Sequence, residues 1–419
     1  MPNDNKKYIP VLRFPEFQND GEWKRCKLSD IAIRKGKKNT TGVELPVYTN
    51  SATSGVINQE EYFDREIVTK DNLVNYGIIE SNDFVYNPRV SVAAPVGPIS
   101  RNKLSCGIMS PLYLIFGFNS GDINFFEHYF KGNSWHSYLR AKANYGARFD
   151  RINIGTKEFM DMPVPYPSLV EQKKIADCLS SLDSYIDATK HKLEQLKEHK
   201  KGLMQKLFPA KGKAVPELRF PEFQNDGEWG WKKLGEFLYE HKTKSDGKCE
   251  VHSVSVSKGV INQKMYLGRS FAASDTSNYK LVKPNDVIYT KSPTGDFPFG
   301  IVKQSFLDYN VIVSPLYAVY SPTNRYVGYL IQAYFESPIR LNNYLYPIVK
   351  KGAKNTIQIT NEEFLSREIC LPSNENEQQK IADCLSSLDN AIAALENKTF
   401  ELEIHKKGLL QQIFPNNII

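Results

Sequence analysis

Glu171-Gln-Lys-Lys-Ile-Ala-Asp-Cys-Leu-Ser-Ser-Leu-Asp183 occurs twice in this chain, returning as Glu377 to Asp389 with Lys173 replaced by Gln379 as the single change. From its first isoleucine onward the apolar residues follow alternating steps of four and three: Ile175, Leu179, Leu182, Ile186, Thr189, Leu193, Leu196, Lys200, Leu203 and Leu207. The second copy keeps that register through Ile381, Leu385, Leu388, Ile392, Leu395, Thr399, Leu402, Lys406, Leu409 and Ile413. Spacing of this kind, sustained over about five heptads, predicts a coiled-coil helix in each copy. At about 1.5 Å per residue each helix spans roughly 57 Å. A helix with an apolar stripe along its whole length needs a partner, and the other copy has the same length. The intervening segment must bring the chain back, so the pair is expected to run antiparallel. Lys200 and Lys406 interrupt the seam near the proline-terminated ends, where a long side chain is expected to reach solvent.

Outward from the helices the repetition continues. Leu12-Arg-Phe-Pro-Glu-Phe-Gln-Asn-Asp-Gly-Glu-Trp23 returns unchanged as Leu218 to Trp229, and His199 to Pro209 returns nearly unchanged as His405 to Pro415, all at an offset of 206 residues. Between these blocks the two copies diverge. Only echoes survive, such as Gly55 to Gln59 against Gly259 to Gln263, Ser110 to Tyr113 against Ser314 to Tyr317, and Asn82-Asp83 with Tyr86 against Asn285-Asp286 with Tyr289. Fixed blocks around a drifting middle imply one fold used twice to present two different surfaces. The variable stretches, about Lys27 to Pro167 and Lys233 to Pro372, are short Val/Ile/Tyr/Phe runs broken by Gly, Pro, Asn and Ser. They read as strands and turns with a few helices, for example Phe126 to Ala143 and its match Tyr326 to Tyr344. The expected class is α+β: two similar α+β domains (1–170 and 210–376) and two long helices (171–209 and 377–415) forming an intramolecular antiparallel coiled coil, a pseudo-twofold tandem repeat.

Composition bounds the function. A chain of 419 residues suits more than one core, and 41% hydrophobic with 24% charged residues reads as a soluble globular protein of the cytoplasm. There is no apolar run of about 18 residues for a membrane span, and no apolar stretch follows the N-terminal charges as a secretory signal requires. The six cysteines contain no C-x-x-C pair and sit near no histidine at ligand spacing, so no metal site is expected. Cys178 and Cys384, at matched places in the helices, are expected to be small buried side chains. The net charge of +7 permits nucleic-acid binding without demanding it.

The order variable domain, long helix, variable domain, long helix, with Leu-Arg-Phe-Pro-Glu-Phe openings and Glu-Gln-x-Lys-Ile-Ala helix starts, resembles the specificity subunits of type I restriction-modification systems. The resemblance covers essentially the whole chain. It implies that each variable region is a target recognition domain reading one half of a bipartite site in double-stranded DNA. It also implies that the paired helices set the gap and dock two methylation subunits, with motor-nuclease subunits joining the full complex. Two unlike domains imply an asymmetric site. S-adenosylmethionine, ATP and Mg are expected on the partner subunits and no cofactor on this chain.

The sequence motifs agree with a non-catalytic subunit. The chain has no G-x-x-x-x-G-K-[ST] phosphate loop. The nearest approach to an amino-methyltransferase motif, Tyr86-Asn-Pro-Arg-Val90, lacks the second proline and the following aromatic, so Asn87-Pro88 reads as a turn. Specificity then falls to polar side chains on base edges and affinity to Lys and Arg on phosphates. In the first domain the candidates are Asn87, Arg89 and Ser91, then Lys142, Asn144, Arg148 and Arg151. In the second they are Lys291 and Ser292, then Lys350, Lys351, Lys354 and Asn355, the densest basic cluster outside the helices. Lys200, Lys201, Lys406 and Lys407 are further candidates for phosphates in the gap. Two alternatives predict other behaviour: a coiled-coil scaffold for protein partners would bind DNA weakly and without sequence preference, and a self-contained modification enzyme would bind S-adenosylmethionine alone.

Overall fold

The computed structural model describes residues 8–40, 43–62, 70–145, 150–245, 247–267, 275–351 and 357–415. The chain divides into two units, one of Met1–His191 with Glu396–Ile419 and one of Lys192–Leu395. Each unit contains one variable domain and parts of two long helices, Leu169–Leu207 and Glu375–Ile413.

Within each unit the helix segments pair antiparallel. In the first unit Lys190 bonds Glu403 at 2.6 Å and Asp183 pairs with Lys406, so numbers rise on one helix as they approach lower numbers on the other. In the second, Lys200 reaches Asp389 at 2.6 Å, while Leu203 and Leu207 share a core with Ile381 and Leu385. Every position of the heptad series is buried or half-buried, including Thr189 and Thr399, as the spacing requires of a coiled-coil seam.

The variable domains share a frame. In the first, an antiparallel four-stranded sheet runs Ala32–Lys35, Leu114–Phe118, Phe84–Tyr86, Ile99–Arg101; in the second its counterpart runs Leu238–Glu240, Ala318–Pro322, Val287–Tyr289, Val302–Gln304. The central strands Phe84–Tyr86 and Val287–Tyr289 are buried throughout, which their unbroken apolar composition demands. A second sheet in the first unit, Gly55–Asn58, Val47–Ser51, Gly107–Met109, Gly77–Ile79, contains a parallel pair, Val47–Ser51 with Gly107–Met109. The second unit carries the corresponding strands as two antiparallel pairs, His252–Ser255 with Gly259–Asn262 and Lys280–Val282 with Val311–Val313.

The surviving echoes mark turns. Asn82 and Asn285 both take left-handed backbone at φ 71° and 67°, a conformation asparagine tolerates better than most residues. The carboxylates of Asp83 and Asp286 each accept from the backbone N–H three residues earlier, at 2.9 and 2.7 Å. The helix expected over Phe126 to Ala143, and its match over Tyr326 to Tyr344, is in each case two helices. Ile123–Lys131 stops at Gly132 before His136–Lys142, and Arg325–Phe335 stops before Pro338–Leu345, which Ser337 caps. Proline at the first turn cannot supply the N–H that a continuous helix needs.

The fixed blocks form one device used twice. Arg13 makes a two-bond ion pair with Glu171, Nε to Oε1 at 2.7 Å and Nη2 to Oε2 at 2.8 Å, and its Nη1 donates to the Gly21 carbonyl at 2.6 Å. Arg219 repeats this on Glu377 at 2.7 and 2.8 Å and on the Gly227 carbonyl at 2.5 Å. The side chains are almost wholly enclosed, 7% and 1% exposed in the first pair and 6% and 1% in the second. Beside each pair a glutamine ties the helix start to the domain. Gln172 donates to the Pro167 carbonyl at 2.8 Å and accepts from the Asp122 N–H at 2.8 Å; Gln378 donates to the Pro372 carbonyl at 2.8 Å and accepts from the Asn324 amide at 3.1 Å. Asp122 and Asn324 are in turn the caps of the helices Ile123–Lys131 and Arg325–Phe335.

Lys200 does not reach solvent as expected. It is buried, and its Nζ donates to Glu336 at 2.8 Å as well as to Asp389; Lys303 closes on Glu336 at 3.1 Å, and the Tyr329 hydroxyl donates to Asp389 at 2.5 Å. Burial penalises the Glu336 carboxylate, but Lys303 and Lys200 outweigh it and hold its pKa below the ordinary value. A depressed carboxyl contributes stability that is present above the unfolded pKa and lost as pH falls through the folded one. In Lys200→Ala one of the two cations is gone, so the acid limb of thermal stability is expected to move to higher pH. Melting temperature followed from pH 7 to pH 3 tests this, and an unmoved limb would separate Glu336 from acid stability. The cysteine expectation also fails: Cys178 is exposed and Cys384 half-buried. No described helix is long and apolar enough to cross a membrane, and no described group of His, Cys, Asp and Glu could hold a metal ion.

Candidate nucleic-acid interface

The two first-domain segments singled out by their polar residues are neighbours. Beyond strand Phe84–Tyr86, the Pro88 carbonyl accepts from the Ile152 N–H at 2.9 Å, and the Val90 N–H donates to the Asp150 carbonyl at 2.9 Å. Arg89 and Arg151 thereby face one another across an antiparallel bridge, and both side chains are exposed. Ser91, Lys142 and Asn144 are exposed as well, Asn144 on a short strand paired with Ile152–Asn153. Arg148 lies outside the described residues.

Asn87 is the exception. It is buried, its amide donates to the Asn50 carbonyl at 3.0 Å, and its Oδ1 accepts from the Arg89 N–H at 3.0 Å. With both ends of its amide engaged inside the domain it holds the turn, and the exposed arginine and serine are the groups left to meet a ligand.

That turn recurs in the second unit at an offset of 203 residues. Ser91 and Ala94 exchange backbone hydrogen bonds at 3.0 and 3.1 Å, and Thr294 and Phe297 exchange theirs at 3.0 and 3.0 Å. The Tyr86 hydroxyl donates to the Val96 carbonyl at 2.9 Å, as the Tyr289 hydroxyl does to the Phe299 carbonyl at 2.7 Å. Each turn closes on a glycine with positive φ, Gly97 at 81° and Gly300 at 98°, where a Cβ would stand 2.1 Å from the Asn87 oxygen or 2.6 Å from the Lys291 nitrogen. Only glycine fits there. The matching Tyr86/Tyr289 was visible in the sequence; the matching glycines at the same offset were the missed signal.

The second-domain candidates are more deeply engaged. Thr290 is buried and accepts from the Ile301 N–H at 3.1 Å; Lys291 takes left-handed backbone and is half-buried. Burial, with Lys280 nearby, lowers the Lys291 amine below its ordinary pKa against the pull of Glu240. Ser292 is exposed. Lys350 is exposed but paired with Glu363, whose carboxyl is brought down to about 2 by Lys350 and by hydrogen bonds from Thr360. Lys350–Lys351 forms a short strand with Ile357–Gln358, while Lys354 and Asn355 lie outside the described residues. The expected basic cluster therefore has one cation already committed. Among the gap-phosphate candidates, Lys200 is buried in its acid pairs and Lys406 is half-buried against Asp183, whereas Lys201 and Lys407 are exposed.

Comparison with known proteins places this arrangement. The sequence profile of the type I restriction modification DNA specificity domain matches twice, over residues 20–198 and 228–404. The specificity subunit of the type I restriction enzyme MjaVIII from Methanocaldococcus jannaschii is 24% identical over 448 aligned residues, covering 99% of this chain and 96% of that one. The crystal structure of the S subunit of a type I restriction-modification system from M. genitalium shares the fold with a TM-score of 0.60 at 12% identity, over 97% of this chain and 99% of that one. Carrying the family profile once in each of its two repeated units, the chain belongs to the type I restriction-modification DNA specificity family and is a specificity subunit.

Proposed function

We propose that each variable domain reads one half of an asymmetric, bipartite site in double-stranded DNA, that the paired helices set the gap, and that they dock two methylation subunits. The observation that carries this reading is the contrast between frame and surface. The Arg–Glu clip, the glutamine tie and the glycine-closed turn are the same in both units, whereas the exposed residues on that turn differ. A shared frame with unlike reading surfaces suits two unlike half-sites better than it suits one repeated ligand. Phosphate contacts from Arg89, Arg151, Lys201 and Lys407 would supply affinity and base contacts specificity. S-adenosylmethionine chemistry then belongs to the methylation subunits, and ATP with Mg to the motor-nuclease subunits, leaving this chain non-catalytic.

Methylation mapping of a host that co-expresses the chain with its methylation subunit tests the reading. The expected result is one methylated motif of two unlike halves around a fixed gap, lost when the chain is deleted. Methylation that persists unchanged without the chain would reject it.

A further inference from the structure

We propose that the tips of the two matched turns, Val92-Ala93 and Gly295-Asp296, read bases directly: Val92 packs on the 5-methyl group of a thymine, and Asp296 accepts from the exocyclic amino group of a cytosine or adenine. This rests on the DNA-reading function proposed above and names the groups that discriminate.

Four observations lead to the tips. First, the frames coincide: Tyr86 and Tyr289, Pro95 and Pro298, and Gly97 and Gly300 occupy equal places, with the same backbone bonds across each turn. Second, the copies part where the turn projects, Val92 becoming Gly295 and Ala93 becoming Asp296, and all four are exposed. Third, Val92 is 105% exposed on a turn that is pinned, since the Ala94 N–H donates both to the Ser91 carbonyl and to the Ser91 hydroxyl, each at 3.1 Å. An aliphatic group held rigidly in water gains free energy only when something apolar covers it, and the ordering cost has already been met. Fourth, Arg89 and Arg151 stand exposed on the paired backbone beside that tip, which favours an anionic partner over an apolar protein surface.

An anionic polymer that also offers an isolated methyl group is a DNA duplex seen from the major groove. There thymine alone presents a methyl, and cytosine N4 and adenine N6 present donors that a carboxylate accepts. The same frame thus carries an apolar tip in one domain and an acceptor in the other, each suited to a different base feature.

The experiment uses the complex of the full chain with its methylation subunit and measures methylation rates on duplexes carrying every single-base change in both half-sites. Val92→Ala is expected to lower discrimination about fivefold or more at one thymine of one half-site. Deoxyuridine at that thymine should slow the wild-type complex by a similar factor and leave Val92→Ala unaffected, because both changes remove the same contact. Asp296→Asn should alter preference at one cytosine or adenine of the other half-site only. Wild-type ratios at every position in both variants would overturn the proposal while leaving DNA reading by the domains intact. A wild-type complex with no base preference in either half would overturn that reading too.

Discussion

Glu377→Ala is expected to destabilise the second unit by about 3–5 kcal/mol, the cost of stranding one partner of an enclosed ion pair. Arg219 would keep the Gly227 carbonyl but lose both bonds to the carboxylate, and the Trp229 indole, which donates to Glu377 at 3.2 Å, would lose its partner as well. The stranded guanidinium cannot discharge to relieve the loss, because arginine keeps its proton throughout the accessible pH range. Replacing both members, Arg219→Met with Glu377→Met, should cost far less than the single change, since no uncompensated charge remains. Urea unfolding of the two variants measures this, and a loss under about 1 kcal/mol in Glu377→Ala would show that the pair is solvated in practice. Glu171→Ala in the first unit should behave alike, because its two bonds to Arg13 have the same lengths. The clip joins the opening block of each unit to the first turns of a long helix, so its loss should loosen the domain from the helix before it unfolds either.

How far the sequence leads depends on the range of the interaction involved. The heptad register was legible to the residue, because periodicity is a local property and the seam is continuous from Ile175 to Leu207. Lys200 departs from the sequence expectation because its surroundings are set from the variable domain: Glu336 and Lys303 lie far away in sequence, and nothing in the helix announces them. The partner of Asp183 shows the same effect, since the first unit meets it with Lys131 at 3.2 Å where the second meets Asp389 with Tyr329. The helix break at Ser337-Pro338 was readable from proline chemistry but hidden by apolar residues on both sides. In the candidate interface, residue type located the segments and could not assign roles within them. Asparagine serves equally as a base-reading amide and as an internal tie, and the bonds of Asn87 to Asn50 and Arg89 decide for the tie. Val92 was overlooked for the complementary reason: an apolar residue in a turn draws attention only once its full exposure is seen.

Inserting one heptad after Leu193 and another after Thr399 is expected to replace the target site with one whose gap is about three base pairs longer. Seven residues add about 10 Å to each helix, and a base pair rises about 3.4 Å. Both insertion points are buried seam positions at the same place in the two copies, so a full heptad preserves the apolar register on each helix. Methylation at the original site should fall at least about a hundredfold, because one whole half-site is then out of reach and each lost base contact costs a factor of several. Length and rotation do not change together, however. Three base pairs turn one half-site about the duplex axis by roughly 100°, while a coiled coil of about 150 Å pitch turns by only about 25° over the same rise. The lengthened site should therefore be methylated more slowly than the parent site, with the same bases in both halves. Methylation mapping of the double-insertion chain reads all three quantities at once: the half-sites, the gap and the extent of modification. An unchanged gap would remove the ruler role from the helices. Altered half-site bases would place specificity in the helices, against the argument from the unlike turn tips.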